Sequence, residues 1–120
     1  MYELEVVSKI PSKKNRYRMG RGNFYKDATA STQEELISFC LLEQKQKKSI
    51  KTFEDAVSVE IIFKLCRNDL LNIAQTVCDC LQSSGIVKND KLISHLMIYW
   101  DEDNALKANQ TSLIRIESLV

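Results

Sequence analysis

The sequence predicts an α+β domain with element order β-α-β-α-β-β, a small mixed sheet with two helices. Short stretches of period-two alternation recur along the chain, and two longer stretches place apolar residues at helical spacing. Breakers are scarce, with one proline and three glycines in 120 residues. At 44% hydrophobic and 28% charged, the chain has enough apolar material for a core and does not read as disordered. Its length suits one domain over residues 1–120 rather than two cores of marginal size.

Tyr2 to Val7 alternates with β-branched and aromatic content and reads as a first strand, closed by Pro11. Positions 12–30 show no period and read as a long loop, the kind usually kept for function. Ser31-Thr32-Gln33-Glu34 has the pattern of a capping box, and Leu36, Ile37, Phe39, Cys40 and Leu41 supply the apolar stripe of the helix after it. That helix runs to about Lys48, where Lys45, Lys47 and Lys48 suit the negative end of its dipole. Ala56 to Leu65 alternates Val57, Val59, Ile61 and Phe63 against Ser58, Glu60 and Lys64, as a half-buried strand does. From Leu70, the residues Ile73, Ala74, Val77 and Leu81 keep helical spacing, and Gly85 supplies the stop. Leu92 to Trp100 is a third strand and Thr111 to Glu117 a fourth. The polar turn Asp101–Asn104 between them reads as a solvated hairpin tip.

Several classes are set aside by composition. The longest nearly apolar run, Leu92 to Trp100, contains Ser94 and His95 and is too short to span a bilayer. No charged-then-apolar leader opens the chain, and the four cysteines have no framework spacing, so a reducing, cytoplasmic setting is expected. Cys78 and Cys80 stand two apart on a helix and make no zinc spacing with His95. They read as buried or half-buried thiols, and His95 as an ordinary strand residue. The acidic turn Asp101-Glu102-Asp103 lacks the spacing and later glutamate of a calcium loop.

The formal net charge of +1 conceals an asymmetry. Residues 1–26 carry seven basic and two acidic side chains, a charge of +5, and the remaining 94 residues carry 10 basic and 14 acidic ones, or −4. Between Lys13 and Lys26 the basic residues alternate with Tyr17, Phe24 and Tyr25. Cations that neutralise phosphates beside aromatic faces that stack on bases suit a nucleic-acid partner, while a solvated basic loop fits the same composition.

The segment Arg67-Asn68-Asp69 leaves a strand and opens a helix, and Asn89-Asp90 follows the same helix just before the next strand. A strand, a helix and a returning strand are expected to bring Asp69 and Asp90 together at one sheet end. Paired carboxylates there suit Mg²⁺. By spacing alone, Asp69 as a helix N-cap and Asp90 as a turn residue account for the same pattern.

The segment Arg67 to Ile93 closely resembles the RusA-type Holliday-junction resolvases. Their pattern is D-x-D-N-x-x-K-x-x-x-D-x-L, then a glycine, then D/N-D and an aliphatic position. Here it reads Asp69-Leu70-Leu71-Asn72-Ile73-Ala74-Gln75-Thr76-Val77-Cys78-Asp79-Cys80-Leu81, then Gly85, Asn89-Asp90 and Ile93. Pro11-Ser12-Lys13-Lys14-Asn15-Arg16-Tyr17 is also similar to the family's P-S-x-N-x-x-Y-type opening. The resemblance implies a RusA-like fold and a homodimer acting on branched DNA in recombination or repair with Mg²⁺. It implies Asp69 and Asp90 as catalytic and metal-holding groups, with Asp79 and Asn72 supporting them. It also implies Lys13, Lys14, Asn15, Arg16, Tyr17, Arg18, Arg21 and Arg67 as the grip on DNA.

Two positions depart from the pattern: Leu71 stands at the middle aspartate and Gln75 at the lysine. Leucine offers no oxygen ligand and glutamine no charge to a phosphate, so cleavage is expected to be weak or lost. Two functions follow from the resemblance. One is a branched-DNA-binding protein with little or no residual resolvase activity. The other is a catalytically inactive phage or mobile-element protein that binds a protein partner as inhibitor or decoy, for example against a host nuclease such as a CRISPR effector.

Overall fold

The computed structural model describes residues 1–12, 17–20, 23–26 and 28–120. The elements are β1 (Tyr2–Val6), β2 (Tyr17–Gly20), β3 (Asn23–Lys26), α1 (Ala28–Lys47), β4 (Val57–Phe63), α2 (Leu70–Ser83), β5 (Ile93–Trp100) and β6 (Ser112–Ser118), with a single 3-10 turn at Asp90–Leu92 before β5. Two helices and a four-stranded mixed sheet of order β1-β6-β4-β5 form the expected α+β fold.

β4 and β5 run parallel, Val57 beside Ile93 at one end and Phe63 beside Trp100 at the other. Parallel neighbours need a crossover connection, and α2 is that crossover. β6 lies between β1 and β4, antiparallel to both. Alternation in the strands sends Leu4, Val6, Val57, Val59, Ile61, Phe63, Ile114 and Ile116 to one face, where they form one buried cluster with Ile37 and Leu41 of α1 and Ile73, Val77 and Leu81 of α2. On the opposite face Arg115 bridges Glu3 at 2.9 Å and Glu60 at 2.8 Å, and these two carboxylates hold its guanidinium pKa above the ordinary arginine value.

Four local expectations are corrected. The stretch read as an unstructured loop contains a β2–β3 hairpin pairing Tyr17 with Lys26 and Gly20 with Asn23. Strands of four residues are too short for a period to stand out, and their cross-strand pairing is what defines them. α1 begins at Ala28, so the capping-box residues Ser31–Glu34 lie inside the helix rather than at its start. Its inward stripe is Ile37, Leu41 and Gln44, whereas Leu36 and Phe39 face out. β5 and β6 do not form a hairpin, because β4 separates them. The connection is instead held by Asp101, whose carboxylate accepts from Ala105 N at 2.8 Å and Leu106 N at 3.0 Å.

Candidate nucleic-acid interface

α2 carries most of the motif, and its start is set by Asp69. This residue is extended (φ −68°, ψ 127°), and its carboxylate accepts from Leu71 N at 3.1 Å, which satisfies one of the amides a helix leaves open at its N-terminus. Asp69 is therefore an N-cap, as its position before an apolar helical run allows. Leu71 and Gln75, one turn apart on α2, are both solvent-exposed. Leu71 is 71% exposed and its side chain packs into no core. Arg67 is exposed in the loop just before the cap.

Asp90 lies at the far end of α2. Its backbone N–H donates to Gln82 Oε1 at 2.9 Å, and Asn89 caps the 3-10 turn by accepting from Lys91 N at 2.9 Å. Its charge reaches Cys78, whose thiol is pushed up to about 11, first by burial and then by Asp79 and Asp90. The expectation that Asp69 and Asp90 meet at one sheet end is not met. Asp69 follows the C-terminal end of β4, and Asp90 precedes the N-terminal end of β5. In a parallel pair these are opposite edges. With α2 rising 1.5 Å per residue, the two carboxylates stand on the order of 15–20 Å apart.

Two ligands of one Mg²⁺ must each lie about 2.1 Å from the ion. One chain's Asp69 and Asp90 do not fit that requirement, and among the described residues no group of three His, Cys, Asp or Glu side chains is placed to hold a metal. Asp79 lines a groove between α1 and α2 together with Glu34, Glu35 and Ser38. Asn72 contributes its carbonyl to Thr76 Oγ1 at 3.2 Å.

The root of the basic arm is pinned beside this helix. Ile10 and Ser12 are buried, and the buried Thr76 hydroxyl donates to Pro11 O at 2.8 Å. Sequence reasoning missed Thr76. Its one signal was a hydroxyl in the otherwise apolar run Ile73-Ala74…Val77, a place where buried polar groups need a partner. Pro11 thus lies next to the turn of α2 that carries Asn72 and Gln75. Lys13, Lys14, Asn15, Arg16 and Arg21 lie outside the described residues, while Tyr17 and Arg18 belong to β2.

The remaining chemistry-bearing residues are structural. Cys80 is buried and Cys78 half-buried, as expected, and Cys66 is exposed. His95 Nδ1 is paired with Ser58 Oγ at 2.9 Å, and Trp100 packs edge-on against Phe63, their centroids 6.5 Å apart. Among the described residues, no helix is long and apolar enough to cross a membrane.

The family model for endodeoxyribonuclease RusA matches residues 7–117, and the chain belongs to that family. The family's function is resolvase-type DNA binding at Holliday junctions by metal-dependent endonucleases. No curated protein matches the chain.

Proposed function

We propose that this chain, as one RusA-like domain over residues 1–120, binds four-way DNA junctions in the cytoplasm during recombination or repair, with cleavage weak or lost. The observation that carries this reading is the arrangement on α2. The arm, whose residues 12–26 carry six basic and no acidic side chains, is rooted on Thr76, while the neighbouring Leu71 and Gln75 positions present no carboxylate and no cation. Lys13, Lys14, Asn15, Arg16, Tyr17, Arg18, Arg21 and Arg67 grip phosphates and sugars, which fixes the protein on the junction without reading sequence. Asp69 and Asp90 are the carboxylates a Mg²⁺ ion would take, and their separation in one chain means that each would come from a different copy in a homodimer. Asp79 and Asn72 steady α2 rather than touch DNA.

Gel shifts of a labelled four-way junction against linear duplex at 50–200 mM salt test the proposal. Junction binding should be preferred and steeply salt-dependent. Removing Lys13, Lys14 and Arg16 should flatten the slope by about 0.9 per lost phosphate contact. Equal or absent binding to both DNAs refutes it.

A second reading is favoured by α1, where Leu36, Phe39 and Leu42 are exposed beside the α1–α2 groove. An apolar stripe on an outward helix face suits a protein partner. In that reading the chain is an inactive phage or mobile-element protein serving as inhibitor or decoy, and absence of DNA preference in the gel shift is its expected result.

A further inference from the structure

The charge of −4 on residues 27–120 is unevenly spread. Lys45, Lys47, Lys48 and Lys51 fall within seven residues that hold no acid, and the rest of that span carries 6 basic and 14 acidic side chains. Lys47, Lys48 and Lys51 are exposed and Lys45 is half-buried. Among the described residues none of the four is ion-paired: Glu3 is taken by Arg115 at 2.9 Å, and Glu54 lies 3.9 Å from Lys88. Lys48 Nζ donates to Glu3 O, a backbone carbonyl.

The backbone beneath the lysines is fixed. Ser49 is left-handed at φ 53°, Ile50 N donates to Lys45 O at 3.0 Å and Ser49 N to Gln46 O at 3.2 Å, which closes α1 with a Schellman turn. Ile50 is 3% exposed and anchors that turn in the core. The helix dipole accounts for lysines in the last turn and fades beyond it, whereas Lys51 lies outside the helix. Four like charges this close repel one another, and a polyanion relieves that repulsion. Lysine is depleted from protein–protein interfaces, and the side chains exposed between these lysines, Gln46 and Ser49, offer no apolar anchor.

We propose that this lysine patch is a second DNA contact, which holds the phosphates of a duplex arm away from the branch point assigned to the basic arm. It rests on the DNA-binding reading. α1 has 20 residues and rises about 1.5 Å at each, so about 30 Å of helix separates the end of the basic arm from the patch. At about 3.4 Å per base pair, that distance is about nine base pairs. The patch therefore meets junctions with long arms and misses those whose arms are shorter.

Gel shifts of the full chain on four-way junctions with arms of about 6 and about 20 base pairs, the short arms closed by hairpin loops, test the patch. Lys45→Gln with Lys47→Gln and Lys51→Gln should lower affinity for the long-armed junction at least tenfold. Its salt slope should flatten by about 2.7, taking about 0.9 per lost phosphate contact, while affinity for the short-armed junction stays within about twofold. Lys51→Gln alone, outside α1, should flatten the slope by about 0.9 with the circular dichroism of the wild type, and Lys45→Arg with Lys47→Arg and Lys51→Arg should keep the full slope. A wild type without junction preference brings down the DNA reading and this contact with it. A wild type that binds, beside a glutamine variant with unchanged slope or an equal loss on both junctions, overturns this contact alone. Loss of binding to phosphatidylserine vesicles with the DNA slope unchanged assigns the patch to a membrane surface and also overturns it.

Discussion

Restoring the two missing groups, Leu71→Asp with Gln75→Lys, separates the fold from its chemistry. Leu71 is 71% exposed, so its removal forfeits less than a third of a leucine's burial, about 0.6 kcal/mol of a full value near 2. An aspartate in the first turn of α2 gains about 0.3–1 kcal/mol from the dipole, in a turn that now holds no acid. A lysine one turn later adds about 0.2–0.5 kcal/mol and offsets repulsion from Asp69. The net change is within about 1 kcal/mol of zero, and the melting temperature should move by no more than about 5 °C. Junction nicking in Mg²⁺ should rise about 10⁴-fold over the wild type, taking about 10² for each restored group. The assay is a labelled four-way junction with enzyme in excess, beside a thermal melt. A loss above about 2 kcal/mol would show that Leu71 is covered in solution. A folded, junction-binding variant that makes no nicks in Mg²⁺ or Mn²⁺ would refute Leu71 and Gln75 as the place where cleavage was lost.

Three further outcomes follow from contacts on α2. Asp69→Ala should cost about 1 kcal/mol in urea unfolding and Asp69→Asn only a few tenths, because asparagine keeps the cap; equal losses would make charge rather than capping its contribution. Thr76→Val should cost about 1–2 kcal/mol by leaving Pro11 O unbonded and should weaken junction binding by loosening the root of the arm, with Thr76→Ser restoring both; unchanged binding would detach the arm from this anchor. The Cys78 thiol titrates at about 11 in the fold against 9.0 unfolded, so the unfolded chain loses its proton first and stability falls as pH rises from 9 toward 11. The fall is about 2–3 kcal/mol at roughly 1.4 kcal/mol per unit, and Cys78→Ser should remove that part of the pH dependence when urea midpoints are compared at pH 8 and 10.5.

The strands and helices that hold the core were legible because burial imposes periods of 2 and 3.6 on the residues themselves. Val57, Val59, Ile61 and Phe63 alternate, and Ile73, Val77 and Leu81 recur by turns. The cap at Asp69 was legible for a similar local reason, since a helix opens its own amides to the residue before it. The β2–β3 hairpin escaped because four-residue strands show no period. α1 misled because its apolar residues lie on two faces: Ile37 and Leu41 reach the core, while Leu36 and Phe39 do not.

The sequence by itself determined the α+β class, the motif on α2, the charge asymmetry of the arm and the absence of an acid and a cation at Leu71 and Gln75. These are local properties, written in composition and in spacing along one element. The tertiary structure alone decided that β4 and β5 run parallel, which sends Asp69 and Asp90 to opposite edges, and that β6 enters between β1 and β4. It also decided that Gln44 of α1 covers the backbone of Glu5 at the β1 edge of the sheet. Strand order and direction are settled by contacts between residues far apart in the chain, through packing and loop closure, and no local period records them.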